Sequence, residues 1–215
     1  KKVFFCSKCV MSNQRPRITF DKNNVCSACN YLEYKNNQIN WEKRGKELEK
    51  LADKIRKKNG EWDILVPGSG GKDSSFVAHT LKTKYNLNPL CVTWAPFKYT
   101  KIGFQNFSDF AGSGFLTINC FGNGTINKLL ARLCLEEIGD NFTPFTFGQH
   151  GFVYHIANKF KINHIFFGEA ADAEYGGNAA KHQDVPGHSI SDNAKLYWKG
   201  NNVRKLINQI VGTTN

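Results

Sequence analysis

Hydrophobic and polar positions change period twice along this chain. Over residues 40–59 apolar side chains recur at three- and four-residue steps: Trp41, Leu48, Leu51, Ala52 and Ile55. That is the stripe of an amphipathic helix, with Asn40 as its N-cap and Asn59-Gly60 as its stop signal. From Glu61 short apolar runs alternate with helical periods. Ile64–Val66 reads as a strand, and Phe76, Val77, Leu81 and Tyr85 mark the helix after it. Leu90–Trp94, introduced by Asn88-Pro89, reads as a second strand, and residues 103–112 as a weak helix. Phe115–Asn119 is the third strand. Ile126–Ile138 is a helix expected to bury Leu129, Leu130, Leu133 and Ile138. Phe152–Phe160 is a further helix, and His164–Phe167 a fourth strand ending at Gly168-Glu169. Strands alternating with helices predict an α/β fold, a mostly parallel sheet covered on both faces. In such sheets the ligand sits beyond the carboxyl ends of the strands. That placement would gather Ser69–Ser75, Thr93–Ala95 and Gly168–Asp172 around one cleft. Polar residues 181–193 read as a loop, and Val203, Leu206, Ile207, Ile210 and Val211 as a closing helix. No internal repeat is present.

The first 38 residues follow neither period. Arg17–Phe20 alternates like a short strand, and Asp21–Asn24 has turn composition. Around them stand Cys6-Ser-Lys-Cys9 and Cys26-Ser-Ala-Cys29, two C-x-x-C pairs with sixteen residues between them. Each pair offers two thiolates from one tight knuckle. Four soft sulfurs with no open position suit structural Zn²⁺ on Cys6, Cys9, Cys26 and Cys29. A ribbon this small has too little core to fold unaided, so metal binding would supply much of its folding free energy. The rival readings are a redox pair, which normally sits in a thioredoxin-like context absent here, and an iron–sulfur site; the spacing favours zinc. The expected organisation is a four-cysteine zinc ribbon over 1–38, a linker helix over 39–60 and an α/β domain over 61–215.

Composition narrows the class. Of 215 residues, 40% are hydrophobic and 22% charged, enough for a packed core and unlike a disordered chain. No apolar run approaches a membrane span, and Lys1-Lys2-Val3 is no signal peptide, so a cytoplasmic protein without membrane contact is expected. The net charge of +11 favours polyanionic partners, nucleotides or nucleic acid. Much of the excess falls within Lys43–Lys58, on the solvated face of the first helix. Cys91 and Cys134 read as small buried hydrophobes. Cys120, at a strand end, is the thiol to watch for reactivity. The histidines show no metal spacing.

The chemistry is concentrated in Asp63-Ile-Leu-Val-Pro-Gly-Ser-Gly-Gly-Lys-Asp-Ser-Ser75. A strand ends in a glycine-rich turn and a helix follows. Gly68, Gly70 and Gly71 let the backbone turn sharply and approach a ligand. The following helix directs its N–H groups and positive dipole end at one point, which suits a phosphate. The spacing is wrong for a Walker loop, which needs four residues between its first Gly and Gly-Lys-Ser/Thr. Ser69-Gly70-Gly71-Lys72-Asp73-Ser74 instead resembles the PP-loop, Ser-Gly-Gly-x-Asp-Ser, whose family splits ATP between the α and β phosphates and adenylates a substrate.

A second resemblance begins upstream. Cys6-x-x-Cys9-Val10-Met11, Arg15-Pro16-Arg17-Ile18-x-Phe20-Asp21 and Val25-Cys26-x-x-Cys29 are similar to the opening of the bacterial N-acetyl sugar amidotransferases. These are PP-loop enzymes of lipopolysaccharide and nonulosonic acid synthesis. Phe167-Gly168-Glu169 with Glu174-Tyr175-Gly176-Gly177 resembles a later segment of the same family. The resemblance runs from about residue 4 to residue 177 and implies a PP-loop parallel sheet, ATP, Mg²⁺ and structural Zn²⁺. It implies that Gly68, Ser69, Gly70, Gly71, Lys72, Asp73, Ser74 and Ser75 hold the nucleotide, with Thr93, Trp94 and Gly168 at the same site. Lys72, Asp73 and Glu169 would carry the chemistry, with Asp172 a further candidate for Mg²⁺ or sugar. The implied reaction transfers AMP to the amide oxygen of an N-acetyl sugar, and ammonia then displaces AMP to leave an acetamidino group. The ammonia would come from a separate glutaminase subunit, and nucleic acid would not be a partner. Two rivals stand beside this reading: a tRNA-thiolating PP-loop enzyme, and a zinc-stabilised nucleotide-binding module without catalysis.

Overall fold

The computed structural model describes residues 2–15, 18–57 and 59–169. The expected loop at 181–193, the closing helix at 203–211, Asp172 and Glu174–Gly177 lie outside the described residues. Within them the chain is a mixed α/β structure built on a parallel three-stranded sheet of order β1-β2-β3. The strands are β1 (Ile64–Pro67), β2 (Pro89–Trp94) and β3 (Leu116–Cys120). Leu65 pairs with Leu90, and Leu90 in turn with Leu116. The expected fourth strand is reduced to one parallel bridge, Ile165 beside Leu65. It is held by Leu65 N–H to His164 O and Phe166 N–H to Leu65 O, at 3.0 and 2.9 Å.

The strand residues alternate between two cores. Ile64, Val66 and Cys91 face one side, packed with Ala52, Ala78, Leu81 and Phe110. These come from α2 (Trp41–Ile55), α3 (Lys72–Thr83) and α4 (Lys101–Gly112). Leu65, Leu90 and Val92 face the other side, against Val153, Ile156 and Ala157 of α6 (Thr143–Lys159). α5 (Gly124–Ile138) packs on α6. The chain therefore steps from β1 to β3 using helices on one face, then returns on the opposite face to lay Ile165 beside β1. Reversing direction changes the covered face when crossovers keep one hand. The reversal leaves a switch point between β1 and the Ile165 segment, where a ligand crevice is expected.

Several expectations shift in detail. α2 starts as read, with Asn40 accepting from Lys43 N–H at 2.9 Å, but ends at Ile55 rather than at Asn59-Gly60. Through Ala52, Leu48 and Ile55 it joins the core of the sheet as well as connecting the ribbon. Trp41 is exposed. α6 begins nine residues earlier than its apolar period suggested, at Thr143, because Pro144 at the helix start costs no hydrogen bond there. In α5 the buried residues are Cys134 and Ile138, whereas Leu129 is exposed. The buried stripe is thus rotated from the expected one.

A helix unmarked by periodicity, α1 (Ser27–Asn37), leaves the second cysteine knuckle. It buries no residue, so it carries no stripe to read. The expected strand Arg17–Phe20 contributes a single bridge, Phe20 to Cys26, and Arg17 itself lies outside the described residues.

Candidate functional site

The glycine loop runs from the carboxyl end of β1 into α3. Gly68 N–H donates to Val92 O at 2.9 Å, and the Gly68 carbonyl accepts from the hydroxyl of buried Thr93. Thr93, read from the sequence as a nucleotide contact, therefore ties the loop to β2. Gly70 has φ +83°, and a Cβ there would lie 2.5 Å from Asn106 O on α4. Only glycine combines that dihedral with that approach. Gly71 is the N-cap of α3 and has no side chain to accept from the first turn. Ser74 Oγ donates back to Gly71 O at 3.2 Å. The helix therefore presents its N-terminus without a side-chain cap, a setting suited to an anion.

Gly168 closes the other side of this site. A Cβ on it would lie 2.8 Å from Ser74 N and 2.9 Å from the Asp73 carbonyl carbon. The residue after the Ile165 segment thus meets the first turn of α3 at the switch point. Ser69, Gly70, Gly71, Lys72, Asp73, Ser74, Thr93 and Gly168 fall in one neighbourhood. Lys72 Nζ donates to both Asp73 carboxylate oxygens, at 2.6 and 2.8 Å, in an exposed pair of sequence neighbours. Such a pair contributes little to stability and leaves both groups near solvent. Glu169 is exposed, one residue beyond Gly168. Trp94, at the end of β2, packs on α6. Its indole lies over Gly148 of α6, where any Cβ would overlap it, and against Phe152 at 5.8 Å. Sequence alone offered no sign of Asn106 or Gly148, because each matters only through a contact between distant elements.

The second site is the thiol cluster. The Sγ atoms of Cys6, Cys9, Cys26 and Cys29 all lie within 4.8 Å of one another, with Cys9–Cys26 at 3.6 Å and Cys6–Cys29 at 4.0 Å. A tetrahedron of Zn–S bonds of about 2.3 Å has S–S edges of about 3.8 Å, so the four residues fit such an ion. Backbone N–H groups of Lys8 and Cys26 point at Cys6 Sγ from 3.3 and 3.2 Å, and that of Met11 at Cys9 Sγ from 3.5 Å. Burial opposes ionisation of Cys6, but N–H donors from Cys26, Lys8 and Cys9 outweigh it and bring the thiol down to about 6. Burial pushes Cys26 and Cys29 upward. Four crowded thiols that cannot all ionise alone are what a cation would relieve. The cluster can hold a metal such as zinc.

Behind the knuckle, Asp21 accepts from Asn23 and Val25 N–H at 2.8 and 3.0 Å and from Asn30 Nδ2 at 3.0 Å. It locks the turn that delivers Cys26. Of the other thiols, Cys91 and Cys134 are buried as expected and Cys120 is half-buried.

No family model matches the chain. It is similar to an uncharacterized protein of Methanocaldococcus jannaschii, 36% identical over 89 residues. That stretch is 40% of this chain and spans 31% of the length of the relative. Among the described residues no helix is long and apolar enough to cross a membrane.

Proposed function

We propose that the chain is an ATP-dependent amidotransferase of the PP-loop type, which adenylates the amide oxygen of an N-acetyl sugar and lets ammonia replace it. The observation that carries this reading is the meeting of the Ser69–Ser75 loop with Gly168 at the carboxyl edge of a parallel sheet, at an uncapped helix N-terminus. The sequence similarity to the sugar amidotransferases, which includes the cysteine-rich opening, supports the choice of substrate. An amide oxygen is a poor leaving group and AMP is a good one, so adenylation divides one hard step into two easier ones.

In this reading the first-turn N–H groups of α3, with the Ser74 and Ser75 hydroxyls, hold the departing pyrophosphate where its charge develops. Lys72 balances that charge. Asp73 and Glu169 are the carboxylates for Mg²⁺, which when bound offsets phosphate charge. Thr93 and Gly70 fix the loop on β2 and α4. The thiol cluster holds one structural Zn²⁺. A separate glutaminase subunit delivers ammonia, and the enzyme works in the cytoplasm, where ATP is supplied.

The test is product analysis with ATP, Mg²⁺, ammonium and either a panel of N-acetyl sugars or tRNA. Sugar-dependent AMP and pyrophosphate, with a sugar about one mass unit lighter, is the expected result. ADP as product would overturn the PP-loop reading. Pyrophosphate release that depends on tRNA would favour a thiolating enzyme instead.

A further inference from the structure

Beside the glycine loop, on the outer face of the sheet, α3 and α4 part to leave a cleft of about 480 Å³. Its size falls within the range of small-molecule sites. The base is apolar: Phe110 is buried, and Phe115 packs partly buried against the same core. Phe76, 70% exposed, forms one wall. Polar groups complete the lining, among them His79, Asn106 and Asp109. Asp109 accepts from Gln105 Nε2 at 2.8 Å and keeps one oxygen open. The side chains of His79 and Asn106 have no hydrogen-bond partner among the described residues. Among the described residues no lysine or arginine is part of the lining, and Lys82, whose Nζ stands 5.2 Å over the Phe115 ring, is engaged in a hydrogen bond to Gly114 O. Gly70 and Ser75 form its rim as well as the glycine loop, so an occupant touches the flank of that loop.

We infer that this cleft seats the uncharged ring of the acceptor, a polyhydroxylated pyranose bearing an acetamido group. The inference rests on the amidotransferase reading and adds the position of its acceptor. An exposed aromatic face suits the C–H face of a sugar ring. A carboxylate, an amide and an imidazole provide acceptors and donors for its hydroxyl and amide groups. The Asp109 carboxylate in the lining disfavours a phosphate or carboxylate substituent beside it, so the uncharged ring is the part that enters. The shared wall at Gly70 and Ser75 brings that ring next to the loop assigned to the nucleotide.

The experiment uses the whole chain and N-acetylglucosamine as the probe, with binding followed by ligand-observed NMR. The variants are Phe76→Ala, Asn106→Ala and Asp109→Asn. All three positions are exposed, and near-UV circular dichroism verifies the fold of each variant. Binding by the unsubstituted chain, weakened at least tenfold in each variant, is the expected result. Absence of binding at millimolar probe overturns the inference, as does binding that all three variants retain. ATP binding to the unsubstituted chain is measured in parallel. If ATP binds and the sugar result is negative, the cleft assignment fails alone. If ATP does not bind, the nucleotide reading fails with it.

Discussion

Cys6 and Cys91 are both buried thiols, and their surroundings drive them apart. In the ribbon, N–H groups converge on Cys6 and overcome the effect of burial, so its thiol comes down to about 6. In β2, Cys91 is surrounded by apolar side chains, and burial pushes it up to about 12. The ribbon is built from backbone donors and thiols around a point, with a small cluster of Cys6, Val25 and Cys26 as its buried core. The sheet is built from fully buried Ile64, Leu65, Val66, Leu90 and Val92. One region gathers four thiols that a cation would hold together, and the other keeps charge out. The first is therefore expected to fail without the second.

The largest effect should come from removing the centre of the ribbon. Cys26 is fully buried at the start of α1, so Cys26→Ser loses a ligand from a set with no spare. Metal content should fall from one zinc to none, and residues 2–38 should lose stabilisation on the order of 10 kcal/mol. Hydrogen exchange reads both regions at once. Amides of 2–38 should exchange freely while those of β1 and β2 keep their protection. Protection that falls equally in both would show that the regions are one cooperative unit.

Next in size is the glycine loop. Gly70→Ala must hold φ +83° and place a Cβ 2.5 Å from Asn106 O. The expected cost is about 1–3 kcal/mol of stability. In the proposed reaction, a displacement of the loop by about an ångström would lower pyrophosphate release about 100-fold. Gly71 is the control. Its φ is −72° and the nearest atom to a Cβ is Ser69 Oγ at 3.7 Å. Gly71→Ala should therefore change stability by less than about 1 kcal/mol. Equal melting temperatures for the two variants would show that the close approach to Asn106 does not constrain this position.

A third change tests how the sheet is anchored to the helix that leads from the ribbon. Buried Asp63 accepts from Lys57 N–H at 2.5 Å and Asn88 N–H at 2.6 Å, joining the end of α2 to the starts of β1 and β2. Asp63→Ala strands both donors and should cost about 2–3 kcal/mol in denaturant unfolding. Exchange in the ribbon should be unaffected, since the lost contacts all belong to the sheet side.

The two regions were also unequally readable. The cysteine knuckles were legible because ligand spacing is a local property, and the structure brings all four sulfurs together. The strands were legible because each is a short apolar run ending in a turn signal. Helix α1 was hidden because it buries nothing, and the limits of α6 because its apolar period covers only part of it. Leu129 was misplaced for a different reason. Helix α5 is apolar around much of its circumference, so packing against α6 selects the buried stripe where periodicity does not. The glycine loop was found by composition, but its supports were not. Thr93, Asn106 and Gly168 act through contacts made only once the sheet has formed.

The smallest expected effect returns to the contrast between thiols. The folded chain holds Cys91 protonated to about pH 12, against a reference value of 9.0. Between those values the unfolded chain releases a proton that the folded chain keeps. The folded state then binds more protons, so stability falls as pH rises. The contribution is fully present below pH 9 and is lost as pH climbs toward the folded value. At about pH 10 the loss amounts to about 1 kcal/mol. Cys91→Val fills nearly the same volume and cannot ionise. The variant should match the original chain at about pH 7 and exceed its stability at about pH 10. The difference between the two chains cancels the titration of lysines and tyrosines common to both. Urea midpoints at the two pH values provide the measurement. A constant difference between the chains would mean that Cys91 titrates alike in both states and that its apolar surroundings do not exclude the charge.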